Sequence, residues 1–148
     1  MAITSAICTS FKVELLTATH DFTNSTGDTF KLALIKESPS GTYGAATTNY
    51  SDVTGNSDEA SGSGYSAGGA TLTNVTPTSS STTAYTDFAD VTFSSASISA
   101  DGCIIYNTSA SNAAVFVADF GGTVTSSGAD YVVQFPTADA SDAILRLA

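Results

Sequence analysis

Positive charge is what this sequence has least of. Lys12, Lys31, Lys36 and Arg146 are its only lysines and arginines, against 14 acidic residues, and the net charge is −10. Proteins that bind DNA or RNA displace counterions from phosphates with Lys and Arg. No nucleic acid partner is therefore expected. An anionic membrane surface is disfavoured on the same ground. Charge of either sign is scarce, at 12% of residues where about 25% is usual. So low a share suits a surface covered by neighbouring molecules, or one that meets water through hydroxyl groups. The excess acid keeps separate copies soluble and mutually repelling.

Other shortages narrow the chemistry. There is no Trp, and His20 is the one histidine. A lone His builds no His-based metal cluster, and the adjacent Asp21 cannot face it from a helix or strand. His20 is expected as a surface or capping polar residue just past a helix end. Two cysteines, Cys8 and Cys103, are too few for a disulfide framework and form no Cys-x-x-Cys pair. Cys103 lies in the apolar run Cys103-Ile104-Ile105-Tyr106, where it reads as a small core residue. Both thiols are expected reduced. No window approaches ~18 consecutive apolar residues, so no membrane-spanning helix is expected. The first residues lack the basic and apolar regions of a signal peptide. No G-x-S-x-G elbow occurs. Gly62-Ser63-Gly64 and Gly68-Gly69 fall short of a dinucleotide fingerprint, and no Lys-Ser/Thr follows them. The aspartates sit mostly in expected turns and fit no EF-hand. The expectation is a protein without enzymatic activity, cofactor or metal.

What is abundant is hydroxyl. Ser and Thr make up 45 of the 148 residues. Thr favours strands and Ser favours turns. Residues 5–19 are the one helical candidate, with Ile7, Phe11 and Leu15 recurring every four residues, Leu16 beside them, and Ser5 as a cap. The β-branched Val13, Thr17 and Thr19 oppose it. Residues 30–36 alternate like a strand. Residues 37–69 are rich in glycine and read as a long loop, with a short strand near Tyr50-Ser51-Asp52-Val53. From residue 70 short strands follow at close intervals. One stops at Pro77, one follows a turn at Ala100-Asp101-Gly102, and one is broken by Gly121-Gly122. This pattern predicts one domain over 1–148, all-β for the most part. The expected architecture is an antiparallel β-sandwich or jelly roll with one short N-terminal helix.

Two segments are expected to dock on other proteins: the N-terminal segment 1–22, with Phe11 and Leu15, and the loop 37–69. The loop's Tyr43, Tyr50 and Tyr65 have the apolar body and polar tip that suit interface anchors. Low charge and exposed strand edges also predict self-association, as a dimer or trimer.

A set of segments in order along the chain carries a resemblance. They are Phe11-Lys12-Val13-Glu14-Leu15-Leu16 with Thr19-His20-Asp21-Phe22, Thr29-Phe30-Lys31-Leu32-Ala33-Leu34, and Gly62-Ser63-Gly64-Tyr65-Ser66-Ala67-Gly68-Gly69-Ala70-Thr71-Leu72. Ile105-Tyr106-Asn107, Ala118-Asp119-Phe120-Gly121 and Val133-Gln134-Phe135-Pro136 complete the set. Together they make the chain resemble a family of small structural proteins of tailed bacteriophages. The resemblance implies a non-enzymatic virion component, foremost a capsid decoration (cement) protein. Such a protein would bind the major capsid protein at the capsid surface, having been made in the host cytoplasm. A tail, fibre or adaptor component stays open beside it, as does a glycan-binding module.

Overall fold

A computed structural model describes residues 2–148. The protein is mostly β, with 49% of residues in strands and 11% in helix. The strands are β1 (Ala2–Ile3), β2 (Ala6–Ile7), β3 (Phe30–Lys36), β4 (Thr42–Tyr43) and β5 (Ala70–Thr71). After them come β6 (Asn74–Ser80), β7 (Thr83–Phe88), β8 (Val91–Asn107), β9 (Ala113–Val133) and β10 (Leu145–Leu147). Two short helices, α1 (Thr9–Leu16) and α2 (Ser51–Gly55), and a 3-10 turn at Thr108–Ala110 complete it.

An antiparallel five-stranded sheet runs β2-β9-β8-β3-β5, and an antiparallel three-stranded sheet runs β10-β7-β6. β1 and β4 form a separate parallel pair. The two larger sheets meet through aromatic rings in a sandwich-like arrangement. Phe30 of β3 lies 5.5 Å from Phe88 of β7, and Phe22 stacks on Phe30 at 4.5 Å. β3 explains why one sheet dominates. Phe30, Leu32, Ala33, Leu34 and Ile35 are all buried, so both of its faces are covered. At roughly 1.5–3 kcal/mol for each large apolar side chain fully buried, this strand anchors the core.

The chain makes fewer and longer strands than its glycines suggest. β8 and β9 form one hairpin of 17 and 21 residues. Ala100-Asp101-Gly102 is no turn, and Gly121-Gly122 does not end a strand. Both lie where the hairpin bulges. Ala100 pairs with Val124 and Gly102 with Asp119, so β9 carries extra residues opposite Asp101. Gly121, at φ 78°, supplies the left-handed backbone there, and the Thr123 hydroxyl donates to Asp101 at 2.6 Å. Gly102 is needed for another reason: any side chain there would run into the Ala118 carbonyl and Ile3. Pro77 likewise sits inside β6, at a register shift between Val75 and Thr78 on an edge strand. Those are the places where a sheet tolerates a missing N–H.

The helix is shorter than the apolar spacing predicts. Ile7 is drawn into β2 opposite Phe116, and the Ser5 hydroxyl accepts the Asp119 N–H instead of capping. Cys8 then stands at the N-cap, and Ala18, at φ 58°, turns the chain away. Tyr50-Ser51-Asp52-Val53 lies in and before α2, not in a strand. Cys8 and Cys103 are buried free thiols, pushed by burial up to about 11 and about 12.

Candidate docking surface

Segment 37–69 is an ordered cover over the outer edge of β3, and two neighbouring carboxylates hold it there. Asp58 is fully buried. It accepts the N–H groups of Ser40 and Gly41 at 3.0 and 2.8 Å and the Tyr43 hydroxyl at 2.6 Å. Lys36 Nζ lies 3.1 Å away. Burial alone would push this carboxyl up; the four donors outweigh it and hold the group well below the usual carboxylate range. Glu59 receives the Tyr65 hydroxyl at 2.7 Å, the Gly68 N–H at 2.6 Å and the Tyr50 hydroxyl. Tyr50 also stacks on Tyr106, with centroids 4.3 Å apart. Burial, and then the bond to Glu59, raise the Tyr50 and Tyr65 hydroxyls far above the usual phenol value.

Tyr43, expected as an outward anchor, is corrected, while Tyr50 and Tyr65 are half-buried. Tyr43 is buried, and the tips of Tyr43, Tyr50 and Tyr65 bond inward to the protein's own carboxylates. They fasten the segment, each donating a hydroxyl to one of the two carboxylates placed against β3. Replacing Tyr65 with Phe therefore removes a donor from Glu59 and an acceptor from the Leu34 N–H. The expected loss is about 1–3 kcal/mol in urea-induced unfolding, with the far-ultraviolet spectrum unchanged.

His20 is also corrected. It is buried, between the rings of Phe11 at 4.8 Å and Phe30 at 6.4 Å. An aromatic pocket closed by Asn107 and Glu14 has drawn the imidazole in from the helix end.

The N-terminal segment exposes Val13 and Leu16 beside the expected Phe11 and Leu15, which line a cleft next to the helix. Phe11 is buried and Leu15 half-buried, on the inward side of α1. Its outward side carries Val13, 60% exposed, and Leu16, 89% exposed. Beside the helix is an apolar cleft of about 310 Å³. Ile7, Phe11 and Leu15 line it from the helix and the strand before it, and Tyr85, Leu145 and Leu147 from β7 and β10. Leu147 is 64% exposed. The position of β10 is set from below. Asp87, fully buried, accepts the Phe88 N–H at 2.8 Å and the Ile144 N–H at 3.2 Å, and burial pushes its carboxyl above the usual range despite both bonds.

Apolar residues on both faces of one short helix are the signal for this surface. Spacing by four finds Phe11 and Leu15, and it passes over Val13 and Leu16 because they lie off that line. No group of three or more His, Cys, Asp or Glu is placed to hold a metal among the described residues. No described helix is long and apolar enough to cross a membrane. No family model matches the chain, and neither does any curated protein or solved structure.

Proposed function

We propose that this protein is a non-enzymatic structural component of a virion, a capsid decoration protein that docks on the major capsid protein. One observation carries the reading: an apolar cleft between α1 and β10, lined by Phe11, Leu15, Leu145 and Leu147, opens to water, and Val13 and Leu16 are exposed on the outward side of the same helix. Single exposed apolar residues are ordinary; several grouped around a concavity mark a contact surface. The body behind it is a rigid β scaffold, which suits a clip that stabilises a shell by mass action. A second contact, between copies, is offered by β9. From Phe120 onward no other described strand pairs with its outer edge. Such edges are commonly resolved by pairing, here as the dimer or trimer of this reading.

The glycan-binding alternative finds less support. A polar groove of about 430 Å³ is lined mainly by Ser61, Ser97, Ser99 and Ser126 with Lys36 and Glu59, and no aromatic ring lines it. The tyrosines that would form a sugar platform are turned inward.

The test uses heads purified from a phage that lacks this protein. Wild-type protein is expected to bind them to saturation at a simple ratio to the major capsid protein, counted by mass spectrometry. Leu16→Asp/Leu147→Asp is expected to bind at least 30-fold more weakly, the equivalent of about 2 kcal/mol for a contact hot spot. Its circular dichroism is expected to match wild type, since both residues are exposed. Binding to tails and not heads would move the protein to the tail, fibre or adaptor reading. Unchanged binding by the double variant would take the α1–β10 face out of the interface.

A further inference from the structure

The cleft also says something about what enters it, given the docking role proposed above. Two of the chain's four basic side chains, Lys12 and Arg146, stand among its lining residues. They come from opposite ends of the sequence and are both exposed. Arg146 donates to the Ser141 carbonyl, which leaves guanidinium N–H groups over. Of the other two cations, Lys36 is held by Asp58. On a protein of net charge −10, this apolar cleft is thus flanked by two positive charges. A second feature limits the shape of the occupant. β10, whose residues line the cleft, is the last strand of its sheet, and no described strand other than β7 pairs with it.

We infer that the cleft receives an extended, acidic segment of the capsid partner. That segment adds as a strand beside β10. Its apolar side chains fill the cleft, and its carboxylates meet Lys12 and Arg146. Strand addition supplies main-chain hydrogen bonds, the pocket selects alternate side chains, and charge across the rim sets register and orientation. A second copy meeting the first through this same patch is disfavoured. A two-fold contact places a patch against itself, which would set Lys12 and Arg146 against their own counterparts.

The measurement is binding to the same deficient heads, with Lys12→Gln/Arg146→Gln beside wild type. A control variant, Thr92→Asp/Ser94→Asp, changes the net charge equally on exposed positions of β8 outside the cleft. At low ionic strength the cleft variant is expected to bind about 10-fold more weakly than wild type and the control nearly normally. In about 1 M salt, where the screening length is ~3 Å, cleft variant and wild type are expected to converge. Backbone amides of residues 145–147 are expected to gain protection from hydrogen exchange in the complex. Equal binding by wild type and cleft variant at every salt, or an equal loss in the control, would overturn the inference and leave the docking role standing. Failure of wild type to bind heads would remove both. A wild-type dimer in sedimentation that the cleft variant abolishes would assign the cleft to a second copy and also overturn it.

Discussion

Asp58→Ala is expected to lower the unfolding midpoint on the order of 10 °C. The reasoning starts from one carboxylate with no access to water. Its oxygens accept from Ser40 and Gly41 N–H and from the Tyr43 hydroxyl, itself buried and pushed up to about 12 by burial and by this same bond. Removing the carboxylate takes the acceptor from all of them at once, and breaking such a buried charged network costs about 3–5 kcal/mol. For a domain of this size each kcal/mol moves the midpoint by roughly 2–4 °C. Lys36 contributes little to that figure, because its side chain is 38% exposed and its attraction is screened. The pH dependence has a definite sign. Asp58 has a folded-state value below its ordinary 3.8, so its stabilisation is fully present above that ordinary value and is lost as pH falls through the folded one. Wild type should therefore lose stability below about pH 4 more steeply than Asp58→Ala does. Calorimetry across that range checks both statements. Equal midpoints at neutral pH would mean that segment 37–69 is held by Glu59 and packing alone.

The same carboxylate shows where sequence reading stops. Fold class was legible, because alternation in residues 30–36, 84–88 and 113–120, with abundant Ser and Thr, points to antiparallel sheet and nothing else. Strand length was not. A glycine at a bulge and a glycine at a turn look alike in sequence, since both answer to the same need for left-handed backbone. Only the partner strand decides, and Val124 opposite Ala100 is not visible from either strand alone. Segment 37–69 has no periodicity to read, since its order comes from Asp58 and Glu59 and their donors 6 to 22 residues away. Tyrosines near such carboxylates read as outward anchors in sequence, because their side-chain direction depends on that tertiary pairing. The cleft is less legible still, because Lys12 and Arg146 become neighbours only when β10 lands on β7 beside α1.

His20→Ala is the second large expected effect, and it joins stability to docking. Asn107 is fully buried at the end of β8, and its side-chain oxygen accepts the Ser109 N–H. That fixes the amide, so Nδ2 donates both to Asp28 and, at 2.9 Å, to His20 Nδ1. The imidazole therefore carries its proton on Nε2 and donates it to Glu14 at 2.7 Å. One ring thus ties α1, through Glu14 and the Phe11 contact, to the end of the long hairpin. Alanine would leave a cavity between Phe11 and Phe30, strip an acceptor from a buried amide, and release Glu14. About 3 kcal/mol of stability should be lost, in the range of buried ring deletions. The loss should fall unevenly: hydrogen exchange at 9–16 should accelerate more than in β3, because the helix has few other ties to the sheet. Since α1 presents Val13 and Leu16, binding to heads should weaken although His20 touches no partner. His20→Gln, which keeps one polar end and part of the volume, should recover part of both. Normal helix protection in His20→Ala would mean that Phe11 packing alone positions α1, and the docking face would then be independent of the histidine.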